Sequence, residues 1–102
     1  MGIADTLNFE KVPGKTQTHQ LRVYALSTCG FCEKALAFLK QETFAHEYLY
    51  IDQIDPELKR ALKTELKERF GNIPVFPVLV VDDKECISGF TEEKWKTALG
   101  IA

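Results

Sequence analysis

The sequence predicts a single α/β layer domain, a mixed sheet of about four strands with helices on both faces. Three observations carry this expectation. The hydrophobic period switches between strand-like and helical along the chain. The first strand–helix–strand unit requires a right-handed crossover, and therefore a parallel pair. A later apolar segment folds back on itself around "Asp-Asp-Lys", residues 82–84.

Residues 1–20 read as an N-terminal extension, with Pro13 and Gly14 in a polar loop and "LNFEK" as a candidate short edge strand. "LRVYAL", residues 21–26, alternates and then runs continuously apolar, as a strand buried in a sheet does. From Gly30 the period becomes helical. Cys32, Ala35, Leu36 and Leu39 fall on one face, with Glu33, Lys34 and Lys40 off it. "AHEYLYI", residues 45–51, supplies a second strand. In "DPELKRALKTELKERFGN", Asp55 suits the cap, Pro56 the first helical position, and Gly71 or Asn72 the stop. Leu58, Ala61, Leu62 and Leu66 form its apolar stripe, and Glu65 can pair with Arg69 one turn on. "VFPVLVVDDKECISGF" then reads as a hairpin, and "TEEKWKTALG" as a short helix capped by Thr91 with two acids in its first turn. The predicted order is β-α-β-α-β-β-α over residues 21–102.

Composition excludes several classes. At 102 residues the chain fits one domain with a modest core. Its formal net charge is -2, without the basic block of a nucleic-acid binder. No apolar run approaches the roughly 18 residues of a membrane span, and the N-terminus lacks the plan of a secretory signal. The sequence therefore predicts no nucleic-acid or membrane partner, and a monomer. Three cysteines are an odd set for a disulfide-stapled secreted domain. The count suits a reducing compartment, and the expected location is cytoplasmic.

Chemistry concentrates in "TCGFC", where Cys29 and Cys32 stand three residues apart between a strand and a helix. A structural zinc site needs four ligands, commonly two close pairs. Here one pair is joined only by distant Cys86, His19 and His46, and no metal is expected. Plain burial suits Cys32, which lies on the apolar stripe, but not Cys29 at the strand-to-helix turn. A redox pair explains both positions. At a helix N-terminus Cys29 faces unpaired N–H groups and the positive end of the dipole, which favour the thiolate. Cys32, one turn on, can close a short-loop disulfide with it. Cys29 should attack and Cys32 resolve. Cys86 is expected to pack as a small apolar residue, and His46 and Trp95 to be structural or surface residues.

"TCGFC", "VFPVLVV" with a proline opening a strand, and "CISGF" before a last helix together resemble the glutaredoxin family of the thioredoxin fold. The likeness covers about residues 21–100. It implies a dithiol thiol–disulfide oxidoreductase with Cys29 and Cys32 as the reacting pair. It also implies that Pro77 follows a cis peptide beside that pair, leaving the backbone of Phe76 to bind an incoming peptide as an added strand. An edge-strand proline is the plainer reading, and Pro74 is a competitor for the role. Thr28, Gly30, Phe31, Gly89 and Phe90 complete the implied substrate site. Phe31 is either an apolar rim or ordinary core, and Gly89 either admits the substrate backbone or serves a tight turn.

The family's glutathione contacts are incomplete here. Its lysine three residues before the first cysteine is replaced by Leu26, and its threonine two before the proline by Val75. Thr91 and Glu92 follow Ser88-Gly89-Phe90 where acids follow a Gly-Gly turn. Glutathione brings two carboxylates that want cationic partners. The expected donor is therefore a protein disulfide reductase, with glutathione as a possible co-substrate and no bound cofactor. Clients are disulfide-containing proteins. The alternative of an iron–sulfur cluster carrier fits less well, because Cys32 stands where such proteins usually have serine.

Overall fold

The computed structural model of the chain describes residues 2–71 and 75–101. Strands Glu10–Val12 (β1), Leu21–Ala25 (β2), His46–Tyr50 (β3), Val78–Val81 (β4) and Glu85–Ser88 (β5) form one sheet in the order β1-β3-β2-β4-β5. Helices Gly30–Gln41 (α1), Pro56–Phe70 (α2) and Glu92–Leu99 (α3) pack on it, with short 3-10 turns at Ile3–Thr6 and Ile51–Gln53. β2 and β3 are parallel, with Val23 opposite Tyr48, while β4 runs antiparallel to β2 with Leu79 opposite Val23. β5 returns beside β4.

The expected strand count is corrected from four to five. β1 joins the sheet antiparallel to β3, placing Lys11 opposite Glu47. It overlaps the end of the candidate edge segment, residues 7–11, and runs one residue past it. Its burial pattern carries no apolar face, so backbone pairing holds it and the hydrophobic pattern does not announce it.

The continuous apolar runs follow from a sheet covered on both sides. Leu21, Val23, Ala25, Leu79 and Val81 face a core with Cys32, Ala35, Phe38 and Leu39 of α1 and Trp95 and Leu99 of α3. Tyr24, Leu49, Val78 and Val80 face the other way, onto Leu62 and Leu66 of α2 and onto Ala4. Asp55 caps α2 by accepting from the N–H groups of Glu57 and Leu58, and Gly71 ends it at φ 85°. Asn72, the alternative stop, and Pro74 lie outside the described residues. The hairpin turns through Asp82 and Asp83 with φ of 52° and 58°, a left-handed conformation that aspartate tolerates better than most residues. Among the described residues, no helix is long and apolar enough to cross a membrane.

Three side-chain expectations change. Phe38 is buried on α1 and Leu36 only half-buried, while Leu58 is exposed on α2. Glu65 does not pair with Arg69. Its carboxylate accepts from the N–H groups of Ile3 at 2.7 Å and Ala4 at 3.1 Å, and Arg69 instead meets Asp83 at 3.0 Å. Two unsatisfied donors at the start of a turn offer Glu65 more than an exposed ion pair does.

Candidate redox site

Cys29 is the N-cap of α1, and its Sγ accepts the N–H of Cys32 at 3.2 Å. The turn ahead of it closes through Cys29 N–H to Leu26 O at 3.2 Å, and Glu33 N–H continues the helix onto Cys29 O at 3.1 Å. The sequence folds this way because the buried strand β2 ends at Ala25 and α1 begins at Gly30, which leaves Cys29 at the cap. The two thiols have different surroundings. Cys29 is half-buried, whereas Cys32 has no solvent exposure. Burial pushes the Cys32 thiol up to about 12, its contact with Cys29 adds to the rise, and the N–H of Leu26, 3.4 Å from its Sγ, opposes it. Both sulfurs are free thiols.

The loop before Cys29 is tied down by Asp52, a residue that sequence reasoning passed over. Asp52 lies in the 3-10 turn after β3 and accepts from both the backbone N–H and the hydroxyl of Ser27. Those bonds hold its carboxyl below the ordinary carboxylate range, the hydroxyl contributing most. No local sequence pattern links positions so far apart.

In the turn into β4, the second part of the expected site, the Phe76–Pro77 peptide is cis. The N–H of Gly89 donates to Pro77 O at 2.8 Å, and the indole N–H of fully buried Trp95 donates to Gly89 O at 3.0 Å. Trp95 thus braces the turn from inside the core. Gly89 has φ +83°, and a Cβ there would lie 3.1 Å from Val75 Cγ2. Its backbone conformation and the closeness of Val75 both call for glycine. Ser88 reaches across to Val75, accepting its N–H at 3.1 Å and donating to its C=O at 2.7 Å.

Cys29, Leu26, Phe76 and Phe90 all pack against the core cluster that contains Cys32, and Leu26 and Phe76 also pack against the cluster on the other face of the sheet. Phe90 turns its ring inward onto Phe38 and Trp95, at centroid distances of 5.7 and 5.0 Å. Phe31 is 62% exposed, so it is surface and not core, and Lys34 Nζ lies 5.7 Å from its ring centroid. Val75 is likewise exposed. Thr28 and Gly30 are exposed on either side of Cys29, and nothing crowds the position a Gly30 Cβ would take. Cys86 belongs to the cluster on the other face of the sheet, where burial pushes its thiol up. His46 is a core residue whose ring Nδ1 lies 2.9 Å from Phe44 O, and burial lowers its pKa. Ser88 was visible in the sequence only as part of a turn.

A thioredoxin-like fold with a strand-to-helix cysteine pair defines a thiol redox protein. The chain belongs to the glutaredoxin family, whose model matches residues 21–86. A glutaredoxin from Methanosarcina mazei Go1 superposes with a TM-score of 0.79 at 26% identity, over 93% of this chain and 90% of that one. Methanoredoxin from Methanosarcina acetivorans gives 0.80 at 29% identity, over 90% and 96%. A glutaredoxin from Archaeoglobus fulgidus gives 0.69 at 30% identity, over 80% and 87%. A comparison with curated protein sequences gives no match.

Proposed function

We propose that the chain is a dithiol thiol–disulfide oxidoreductase that carries electrons to client protein disulfides through Cys29 and Cys32. In this reading it is cytoplasmic, works as a monomer, and is itself reduced by a protein disulfide reductase. The observation that carries the proposal is the asymmetry of the pair. Cys29 is partly exposed and its Sγ accepts a helix N–H, while Cys32 is sealed behind it with its proton held.

The thiolate of Cys29 attacks one sulfur of the client disulfide. That S–S bond breaks, a Cys29–client mixed disulfide forms, and the departing client sulfur takes a proton. Cys32 then gives up its proton and attacks Cys29 Sγ. The mixed disulfide breaks, and the second client thiol leaves. The pair has lost two electrons and the client has gained them. Loss of negative charge from Cys29 in the mixed disulfide removes one of the influences that hold the Cys32 proton.

Glutathione as donor is a second reading. It draws support from Lys34 beside Phe31 and from Lys63, whose Nζ lies 6.0 Å from the Phe76 ring centroid. Either lysine could meet a carboxylate, although Leu26 occupies the family's lysine position. The test is reduction kinetics. Cys29→Ser should abolish disulfide reduction, and Cys32→Ser should accumulate mixed disulfides visible by mass spectrometry. An exchange of these behaviours would reverse the assignment of attacker and resolver. Pre-oxidised protein mixed with glutathione, or with a disulfide reductase and its electron source, then identifies the donor. The proposal expects the reductase to be at least tenfold faster, and faster reduction by glutathione would overturn that part.

A further inference from the structure

In the resolving step a negative charge must appear on Cys32 Sγ, a sulfur with no solvent exposure. Water does not reach it, so the charge has to be met by donors of the protein itself. Among the described residues one backbone N–H is aimed at this sulfur, that of Leu26 at 3.4 Å. It favours the thiolate, which burial, the Cys29 sulfur and the charge of Asp52 all oppose.

Leu26 is held from both sides. Behind it, Ala25 closes β2 opposite Tyr50 of β3. Ahead of it, Asp52 accepts Ser27 N–H at 3.0 Å and also accepts from the Ser27 hydroxyl. That N–H shares a planar trans peptide with Leu26 C=O, so the two groups point in opposite directions. With the N–H taken by Asp52, the carbonyl is turned back toward the helix, where it accepts Cys29 N–H at 3.2 Å. The main chain of Leu26 therefore meets both cysteines, Cys29 through its C=O and Cys32 through its N–H. Fixing the peptides on either side of a residue fixes its two soft dihedrals, and with them the direction of its N–H.

We propose that Asp52 is a positioning residue for the resolving step. By holding the Leu26–Ser27 peptide, it keeps Leu26 N–H on the sulfur where charge appears as Cys32 attacks. This inference rests on the dithiol reading above, and it adds a residue outside the cysteine motif that serves one of the two steps. Asp52 acts through geometry, against the effect of its own charge. Its bonds with Ser27 hold its carboxyl below the ordinary carboxylate range, so it stays ionised near neutral pH. The titratable groups facing Cys32 are Cys29 of α1, Asp52 of the turn after β3, and Tyr50 of β3, whose phenol burial pushes up.

The two steps are read apart with one equivalent of dithiobis(nitrobenzoate) on reduced full-length protein carrying Cys86→Ala. Attack by Cys29 breaks the reagent's S–S bond, forms a mixed disulfide and releases a first coloured thiolate. Attack by Cys32, its proton passing to solvent, breaks the mixed disulfide, closes Cys29–Cys32 and releases the second. Mildly acidic pH keeps more of Cys32 protonated and so separates the two phases. Asp52→Ala should slow the second phase about tenfold, the loss expected for one hydrogen bond to a charged group. The pH profile of that phase should move about one pH unit upward, while the first phase stays within about twofold. Asp52→Asn still accepts Ser27 N–H, donates to the Ser27 hydroxyl and lacks the opposing charge. Its second phase should match the parent's or run faster. Amide exchange at Leu26 should quicken in Asp52→Ala and not in Asp52→Asn, a readout that needs no turnover. Equal slowing of both phases in Asp52→Ala would make Asp52 merely structural and overturn the proposal. A second phase unchanged or faster in Asp52→Ala, one equally slow in Asp52→Asn, or unchanged Leu26 exchange would also overturn it. A parent protein that releases one thiolate and never closes Cys29–Cys32 would instead overturn the dithiol reading and, with it, the role given to Asp52.

Discussion

A thiol with no solvent exposure, such as Cys32, is favoured in its neutral form, and burial takes its pKa from the ordinary 9.0 to about 12. The unfolded chain has no such shelter. Below about pH 9 the thiol is neutral in both states and the full contribution to stability is present. Above that, the unfolded chain ionises while the folded one keeps its proton, so stability falls until the folded thiol ionises near 12. Tyr24, buried and likewise pushed up to about 12, acts with the same sign. Reduced wild-type protein should therefore lose more stability between roughly pH 8 and pH 11 than Cys32→Ala does, as measured by urea unfolding. An equal loss in the variant would mean that the fold does not hold this thiol neutral. The same burial suits the resolving role, because a second thiolate beside Cys29 would compete for the client.

At the scale of elements, the sequence was most legible where one segment carries its own signals. Both capping residues, Asp55 and Thr91, stand where their spacing put them, and β2 with α1 delivers Cys29 to a helix end. Contacts between distant segments were not legible. Glu65 looked like one half of a pair with Arg69, because (i, i+4) spacing is visible in a sequence. The two N–H groups it actually binds belong to residues 62 and 61 positions away. Ser88 and Asp52 escaped for the same reason, since each satisfies backbone on a loop that only the fold brings near. The cap on the N-terminal turn is open to test. Replacing Glu65 by Ala should cost about 1–2 kcal/mol in urea unfolding, within the range for a lost helix cap. Amide exchange at Ile3 and Ala4 should quicken, while single-turnover disulfide reduction stays unchanged. Slow exchange at both amides in the variant would mean that Glu65 is not what holds the turn.

For the whole molecule, the open matter is whether residues 1–20 are an appendage, as their composition suggested, or part of the cooperative unit. The contacts favour the second. Ala4 is buried in the α2-side core, and Leu7 and Phe9 pack against that core. Phe9 meets the Tyr24 ring edge-on at 5.6 Å, with the Arg22 guanidinium 4.6 Å from its centroid, and Asp5 pairs with Arg22 at 3.3 Å. Deleting residues 1–9 would uncover one face of Tyr24, leave Arg22 with Glu47 alone, and free Glu65 from its donors. Apolar burial and the lost cap together amount to about 3–5 kcal/mol. In a domain of this size that corresponds to a fall in melting temperature of roughly 15–25 °C. The redox thiols should be spared, because Cys29, Cys32 and Phe90 gather around the cluster on the other face of the sheet, while Phe76 packs against both clusters. Well below its melting temperature, the shortened protein should therefore reduce a small disulfide at the wild-type rate. A melting temperature within a few degrees of wild type would show that the segment is an appendage after all. A lower rate in the folded variant would mean that the two faces of the sheet are coupled through Leu26 and Phe76, which pack against both clusters.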